Sequence, residues 1–240
     1  MNSITAIVPF FNEEKYLMQS VNRLIEQKIF EKIILVDDNS NDNSLKIAKE
    51  LAKLNNQISI LENKLNLGKG ACIKKAIDFV NTKYLIIHDA DLEYNPIDIL
   101  EMLEAAVLNK NSIILGSRVI GDKKRNNLYI RTFLAQKIYS RIFNYLNFQK
   151  LSDIASCYWL IETEKLKKFE IEENGFAIEV EVLSKAVKNS LNFIEVPIQY
   201  DGRSYEDGKK IKLKDGLIIL YKIIKYSRFF TIFKNFKFSK

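Results

Sequence analysis

Cysteine is scarce in this sequence, which has Cys72 and Cys157 and no others among its 240 residues. Two cysteines in a chain of this length do not make a disulfide framework. We therefore expect a protein of a reducing compartment. The hydrophobic fraction of 47% is ordinary for a globular protein, so a sizeable core can form without disulfides.

Long apolar runs are also lacking. No stretch approaches the roughly 20 consecutive apolar residues that a membrane-spanning helix needs. The first eleven residues carry no basic region, and Asn12, Glu13 and Glu14 follow them directly. This start predicts a first β-strand rather than a signal peptide.

Two common phosphate-binding patterns are missing as well. No G-x-G-x-x-G follows the first predicted strand, and the chain contains no G-K-[ST] loop. These absences argue against a dinucleotide enzyme and against a P-loop nucleotidase.

Positive charge is concentrated at one end of the chain. The net charge is +7, and the segment from Lys209 to Lys240 holds ten basic residues and one acid, Asp215, so the rest is nearly neutral. A basic tail suits anionic lipid, with a solvated helix face as the alternative. Nucleic acid is not expected as a partner, because the charge lies on one tail and not along a groove.

In the first half of the chain, short apolar segments alternate with segments of helical periodicity. Strands are predicted at 3–9, 32–36, 58–61, 84–87 and 113–116, and helices at 13–27, 45–54, 71–80 and 97–108. This alternation predicts an α/β fold with a mixed, mostly parallel sheet flanked by helices. The second half predicts helices at 127–146, 178–187 and 214–230, a strand at 156–162, and an edge strand at 192–200 that Pro197 interrupts.

Polar clusters follow several of these strands at the point where each one ends. They are Asn12-Glu13, Asp37-Asp38, Asp89 with Asp91 and Glu93, and Arg118. Ligands of parallel sheets bind at the carboxyl ends of the strands. Four clusters at one edge therefore predict a binding site, since solvation alone does not explain them.

The acidic cluster is the point around which the chain is organised. Tyr84 to Ile87 predict a buried strand, and Asp89, Asp91 and Glu93 follow at alternate positions. Three acids need a partner if they are buried, and a divalent cation with open positions for substrate phosphates is the natural one. An acidic surface turn is the alternative. His88 is more typical of a structural histidine than of a metal ligand, because the carboxylates already suffice.

Six motifs in chain order carry a resemblance to a known family. They are Val8-Pro9-Phe10-Phe11-Asn12-Glu13, Val36-Asp37-Asp38-Asn39-Ser40, Asn66-Leu67-Gly68-Lys69-Gly70-Ala71, Asp89-Ala90-Asp91-Leu92-Glu93, Gly116-Ser117-Arg118, and Arg203 followed by Gly208-Lys209-Lys210. Together they resemble family 2 glycosyltransferases of the GT-A fold, and most closely the polyprenyl-phosphate sugar synthases, the group that contains dolichol-phosphate mannose synthase. Asn39 stands where the family has glycine, and both residues tolerate a left-handed turn.

One segment departs from the family pattern. The family usually has Ser-Gly-aromatic-Arg after an aspartate, whereas here Asp153 is followed by Ser156-Cys157-Tyr158-Trp159. Cysteine replaces the glycine and tryptophan replaces the basic residue. Details of the acceptor side, and the identity of the sugar, therefore stay open.

The resemblance implies roles for individual residues. A divalent metal, Mg²⁺ or Mn²⁺, is expected on Asp89, Asp91 and Glu93, with Asp91 favoured as a direct ligand. The residues implied in nucleotide binding are Pro9, Asn12, Glu13, Asp38, Gly68, Lys69, Gly70 and Asp89. The catalytic residues implied are Asp91, Arg118 and Asp153. The arginines implied in binding an acceptor phosphate are Arg118, Arg131 and Arg203.

The nature of the acceptor decides which of these groups does the chemistry. A sugar hydroxyl needs a general base. A lipid monophosphate is already anionic and is itself the nucleophile, so it needs cations, and guanidinium binds phosphate at two points. Arg131 lies on a basic helix and has the alternative of a purely solvated role. Asp153 has the alternative of capping a turn.

The resemblance implies an inverting hexosyltransferase. It would move a sugar from a GDP- or UDP-linked donor to polyprenyl (dolichyl or undecaprenyl) phosphate at the cytoplasmic membrane face. The alternatives are a family 2 glycosyltransferase with a saccharide hydroxyl acceptor in cell-surface polysaccharide synthesis, and a catalytically silent binding module. Residues 1–210 are expected to form the catalytic domain, with a nucleotide-binding half (1–118) and an acceptor half (119–210). Residues 211–240 are expected to form a basic amphipathic segment in peripheral contact with the inner face of the cell membrane.

Overall fold

The computed structural model describes residues 3–126, 129–203 and 213–230. The elements of these ranges, in chain order, are β1 (Ile4–Phe10), α1 (Leu17–Glu26), β2 (Lys32–Asp37), α2 (Ser44–Leu54), β3 (Ile58–Glu62), α3 (Lys69–Ile77), β4 (Tyr84–Ile87), α4 (Asp98–Leu108), β5 (Ser112–Ser117), β6 (Arg125–Asn126), α5 (Ile130–Asn147), β7 (Trp159–Glu162), α6 (Thr163–Lys167), α7 (Ile178–Lys188), β8 (Asn192–Pro197), β9 (Tyr200–Asp201) and α8 (Leu213–Tyr226).

A seven-stranded sheet forms the centre of the fold, with the strand order β3-β2-β1-β4-β7-β5-β8. Neighbouring strands are parallel except at β7, which runs antiparallel to both β4 and β5. A second, two-stranded sheet pairs β6 with β9. The predicted α/β class with a mixed, mostly parallel sheet is confirmed.

Apolar clusters cover both faces of the central sheet. Successive residues of β1 point to opposite sides, so that Val8 joins one cluster and Ile7 the other. Helices α1, α2 and α4 contribute to the first cluster, and α3, α5, α7 and α8 to the second. Strand β4 is buried from Tyr84 to Ile87, as its unbroken apolar sequence predicted.

Several boundaries differ from the prediction for local reasons. Helix α1 begins at Leu17 and not at Glu13, because residues 13–16 form a turn in which the Glu13 carbonyl accepts hydrogen bonds. Helix α3 begins at Lys69, directly after Gly68, whose φ of 99° ends the preceding loop. The predicted strand at 192–200 is divided into β8 and β9 at Pro197, and β8 lies at the sheet edge as expected. The short elements β6 and α6 were not predicted.

The C-terminal helix is shorter than the predicted 214–230. Helix α8 ends at Tyr226, which is buried together with Ile223, whereas Leu217 and Tyr221 are exposed. The predicted loop residues Gly208, Lys209 and Lys210, and residues 231–240 of the predicted membrane segment, lie outside the described residues. Within the described ranges, no helix combines the length and apolarity needed to cross a bilayer.

Candidate functional site

The carboxyl ends of β2, β1 and β4 lie side by side and bring the predicted polar clusters together. The amide of Asp38 donates to the Phe10 carbonyl at 2.9 Å, and the amide of His88 donates to the Ile7 carbonyl at 2.9 Å. The residues that follow β2 and β4 therefore flank the end of β1, as the parallel order predicted.

Asn12 and Glu13 hold the loop that follows β2. The Asn12 amide donates to Ser40 Oγ at 3.0 Å, and the Glu13 amide donates to Ser44 Oγ at 2.7 Å. Asn39 adopts a φ of 65°, the left-handed conformation predicted for it. Pro9 is buried inside β1, where it pairs with Val36 of β2.

Asp38 is buried and fixes a second loop, residues 66–71, which we call the donor loop. Its carboxylate accepts hydrogen bonds from the amides of Leu67 and Gly68 at 2.9 and 2.7 Å, and from Asn63 Nδ2 at 2.9 Å. The sequence interpretation assigned Asp38 to the nucleotide, and that contact stays a prediction. Asn63 was missed, because an amide in a loop carries no signal in the sequence.

The two glycines of the donor loop accommodate the protein's own backbone. A Cβ atom at Gly68 would lie 2.5 Å from the carbonyl oxygen of Asn174, and one at Gly70 would clash with that of Glu173. The sequence interpretation explained both glycines by a close approach to the nucleotide. In the structure, residues 173–175 come close to both glycines, and the approach to the nucleotide stays a prediction.

Lys69 lies between two carboxylates at the start of α3. Its Nζ is 2.8 Å from Asp89 Oδ1 and 2.8 Å from Glu179 Oε1, and the three side chains are largely buried. Burial opposes the charge of Lys69, but the two carboxylates outweigh it and raise its pKa well above the usual value. Burial also disfavours the charge of Asp89, yet Lys69 and a hydrogen bond from Cys157 lower its pKa. Glu179 was missed; an acid in the predicted helix at 178–187 was the available signal.

Arg203 lies among the remaining acids. Its guanidinium contacts the Glu13 carboxylate at two points, at 2.9 and 2.8 Å, and its Nη2 is 3.5 Å from Asp91 Oδ2. Its backbone amide donates to Glu93 Oε1 at 2.9 Å, and the Tyr200 hydroxyl donates to Glu93 Oε2 at 2.9 Å. The arginine predicted to bind the acceptor phosphate thus closes the acidic edge of the sheet.

The carboxylate oxygens at this edge of the sheet are ligands that suit a hard divalent cation. Burial, together with the charges of Glu93 and Asp89, raises the pKa of Asp91 to about 8, as expected for a carboxylate cluster that a cation would complete. Across the described ranges, no three acid, His or Cys side chains converge to hold a metal in the present arrangement. Asp89 and Glu93 each have protein partners, so the predicted set of three ligands stays a prediction.

Arg118 and Asp153, predicted to act separately, are partners in a buried ion pair. Arg118 Nε is 2.7 Å from Asp153 Oδ2, and Nη2 is 2.9 Å from Oδ1. The guanidinium also lies over the Tyr200 ring at 4.9 Å and contacts the Tyr94 hydroxyl at 3.3 Å. Burial opposes both charges, but their attraction raises the pKa of Arg118 and lowers that of Asp153. Asp153 also accepts from the Ala155 amide at 3.2 Å, which is the turn-capping role left open above.

The side chains of Arg131 and His88 take no part in the contacts described so far, and only the prediction for His88 is confirmed. Arg131 has an exposed side chain in the first turn of α5 and has no described contact with Arg118 or Arg203. His88 is a buried structural histidine, as predicted: its ring nitrogens lie 3.0 Å from Ser20 Oγ and 2.7 Å from the Tyr158 hydroxyl. Burial lowers its pKa to about 4.

Comparison with known proteins shows which family the chain resembles. A sequence profile described as Glycosyl transferase family 2 matches residues 5–169. The UDP-N-acetylglucosamine–dolichyl-phosphate N-acetylglucosaminyltransferase of Methanococcus voltae is 27% identical, over 92% of this chain and 94% of its own. The dolichol-phosphate mannosyltransferase of Pyrococcus furiosus is 24% identical, over 86% of this chain and 58% of its own.

Solved structures share the fold. Glucosyl-3-phosphoglycerate synthase from Mycobacterium tuberculosis, in complex with Mn²⁺, UDP-glucose and phosphoglyceric acid, has a TM-score of 0.74 at 13% identity. The match covers 94% of this chain and 79% of the other. The same enzyme in complex with Mg²⁺ and UDP has a TM-score of 0.73 at 11% identity. These likenesses confirm the predicted GT-A type of fold.

Proposed function

Because the chain belongs to glycosyl transferase family 2, we propose that it moves a sugar from a UDP-linked donor to a polyprenyl phosphate. Two relatives named for transfer to dolichyl or dolichol phosphate support this acceptor. Structures of the same fold that hold UDP with Mn²⁺ or Mg²⁺ support the donor. GDP is the other nucleotide that the sequence motifs allow.

One observation supports a phosphate as the acceptor: acids around the site are paired with basic side chains. Asp153 binds Arg118, Glu13 binds Arg203, and Glu179 binds Lys69. Asp153 is the clearest case: burial opposes its charge, but the ion pair with Arg118 lowers its pKa, which makes it a poor proton acceptor. A saccharide hydroxyl would need such an acceptor, whereas a lipid phosphate needs only to be bound and oriented.

At the donor end, the candidate groups are Asp89, Asp91 and Lys69. The two carboxylates would hold Mg²⁺ or Mn²⁺, and a bound ion of this kind would stabilise the charge on the departing diphosphate. Lys69 lies 2.8 Å from Asp89 and supplies a second positive charge at the same place. Glu93 would then hold Arg203 and Tyr200 in place and, through them, influence the position of the acceptor.

The chemistry at the acceptor end is a single displacement. An oxygen of the acceptor phosphate forms a bond to the anomeric carbon while the bond from that carbon to the diphosphate oxygen breaks, so UDP leaves and the configuration inverts. No proton has to be removed from the nucleophile. Arg118 lies over the Tyr200 ring, and the Arg203 amide binds Glu93, which also accepts from the Tyr200 hydroxyl; from these positions the two positive charges would attract and orient the phosphate.

A transfer assay with matched acceptors tests the proposal. The protein, Mn²⁺ and a panel of radiolabelled UDP-sugars are incubated with a short polyprenyl phosphate, the corresponding polyprenol, or a soluble saccharide. We expect label to enter the butanol phase with the phosphate alone, and Asp91→Asn to abolish it. Transfer to the saccharide but not to the lipid phosphate would overturn the proposed acceptor and support the alternative.

We further propose that α8 and the following residues contact an anionic membrane at its cytoplasmic face. The outward side of this segment exposes Leu217, Ile218, Tyr221, Ile224, Phe229 and Phe230. An apolar cavity of about 510 Å³ lies between this segment and the end of α5. Exposed Lys214 and Arg228 flank the apolar side, as in a helix that lies in the headgroup region.

A further inference from the structure

Residues 172–175, which we call the bridging segment, lie between the donor loop and helix α8. The segment precedes α7 and carries two neighbouring acids, Glu172 and Glu173. Its backbone faces the donor loop, and its carboxylates face α8. None of these contacts was anticipated from the sequence.

On the donor side, the bridging segment holds the loop through its backbone. The Ala71 amide donates to the Asn174 carbonyl at 3.1 Å, and Lys74 Nζ donates to the Glu172 carbonyl at 3.0 Å. Gly68 and Gly70 lack side chains at the two points where this backbone comes closest. A displacement of the bridging segment would therefore displace the donor loop, because close-packed backbones leave no room for independent movement.

On the other side, Glu173 binds α8. Its carboxylate is nearly buried, forms an ion pair with Lys222 and accepts a hydrogen bond from the Tyr226 hydroxyl at 2.6 Å. Glu172 has related but exposed contacts, with Lys225 at 3.1 Å and, at the longer distance of 3.2 Å, with the Tyr226 hydroxyl. Glu173 is therefore the firmer of the two links.

The bridging segment is itself held rigid by α7. Glu181 is completely buried, and its two oxygens accept the amides of Glu172 and Glu173 at 2.8 Å each. Its third partner is Lys185, at 2.8 Å. The same helix carries Glu179, which holds Lys69 of the donor loop. Movement of α8 would thus be passed to the donor loop and would not be absorbed between them.

We propose that Glu173 is a positioning residue through which helix α8 sets the geometry of the donor loop, so that seating of α8 strengthens nucleotide binding. The identity of the nucleotide as UDP rests on the proposed function. Coupling of two sites is reciprocal, so UDP must in turn stabilise α8. The apolar side of α8 would seat on the membrane, and donor binding would be favoured where the acceptor is present.

Calorimetric titration of UDP in the presence of Mn²⁺ tests the role of Glu173. We expect Glu173→Gln to raise the Kd for UDP by about 5- to 10-fold, the lower range of typical coupling between sites. Glu172→Gln is the matched control and should change the Kd less than about twofold, because exposed ion pairs contribute little. Lys222→Met should weaken UDP binding as well. The Kd of the double variant with Glu173→Gln should not exceed the higher Kd of the two single variants, because both changes break the same ion pair.

The effect of UDP on hydrogen exchange in α8 distinguishes a coupling role of Glu173 from a merely structural one. UDP should slow exchange in α8 in the wild type and in Glu172→Gln, but not in Glu173→Gln. A variant Glu173→Gln that melts earlier yet keeps the wild-type Kd and the wild-type protection of α8 would overturn the proposal, as would a wild type that does not bind UDP. Coupled UDP binding without sugar transfer to polyprenyl phosphate would refute the proposed function and leave this coupling in place.

Discussion

Glu13 and Arg203 lie 190 residues apart in the sequence and form a two-point ion pair with N–O distances of 2.9 and 2.8 Å. The pair joins the end of β1 to the segment that follows β9, and it brings Arg203 to 3.5 Å from Asp91. One guanidinium thereby links the first motif of the chain, the acidic cluster and the segment assigned to the acceptor. The position of the segment that follows β9 therefore depends on the fold of the first half of the chain.

This ion pair predicts a marked effect of Glu13→Gln on stability. Both side chains are at most 10% exposed, and loss of one partner of a buried pair destabilises by roughly 3 kcal/mol. The free energy of unfolding in urea measures the effect. Glu62→Gln, which breaks the exposed pair with Lys49, is the control and should cost less than about 1 kcal/mol. Equal losses in the two variants would contradict the importance given to burial.

Much of the site could be predicted because it depends on local order. A parallel sheet places the carboxyl ends of its strands at one edge, so Asp38 and Asp89 were expected at the same edge once β2 and β4 were identified. The left-handed turn at Asn39 and the structural role of His88 followed from the chemistry of single residues.

The partners of the charged residues could not be predicted in the same way. Arg118 with Asp153, and Lys69 with Glu179, are pairs formed by elements far apart in the sequence, and no spacing rule connects them. The glycines of the donor loop show the same limit. They were interpreted as allowing a close approach to the nucleotide, which stays a prediction, whereas the close approach of residues 173–175 was recognisable only in the folded protein.

Gly70→Ala should destabilise the protein although alanine favours a helix. Gly70 lies in the first turn of α3, where alanine would contribute up to about 1 kcal/mol. The new Cβ would clash with the Glu173 carbonyl, and overpacking of this kind costs typically about 1–3 kcal/mol, so a net loss is expected. Gly175→Ala is the control, because its Cβ would meet open space. A gain in melting temperature for Gly70→Ala would show that the bridging segment gives way easily.

His88 predicts a specific dependence of stability on pH. Its pKa is about 4 in the folded protein and about 6.5 when unfolded, so between these values the unfolded chain binds the extra proton. Stability therefore falls as the pH falls from 6.5 towards 4, by about 2 kcal/mol between pH 7 and pH 5.

The comparison of wild type with His88→Gln isolates this contribution. Carboxylates titrate in both proteins and cancel in the difference of their unfolding free energies. The wild type should lose its advantage over the variant as the pH is lowered. A difference that stays constant from pH 7 to pH 5 would contradict a buried, neutral His88.

The apolar side of α8 predicts selective binding to anionic vesicles. Leu217 and Tyr221 are 68% and 61% exposed, and basic residues flank them. In a flotation assay, the protein should bind vesicles that contain phosphatidylglycerol, and the double change Leu217→Glu and Tyr221→Glu should reduce binding by about tenfold or more, since it removes apolar area and adds negative charge. Leu54→Glu with Leu108→Glu alters two leucines elsewhere that are even more exposed, at 86% and 82%, and serves as the control. Equal binding by both variants would show that the apolar side of α8 does not contact the membrane.

The most direct test of the site is a crystal structure with Mn²⁺ and UDP, with the metal located by its anomalous scattering. The proposed site predicts a manganese peak in contact with the Asp91 carboxylate and the diphosphate of UDP, with the nucleotide beside the donor loop. A manganese peak and UDP bound away from Asp89 and Asp91, with this edge of the sheet unchanged, would contradict it.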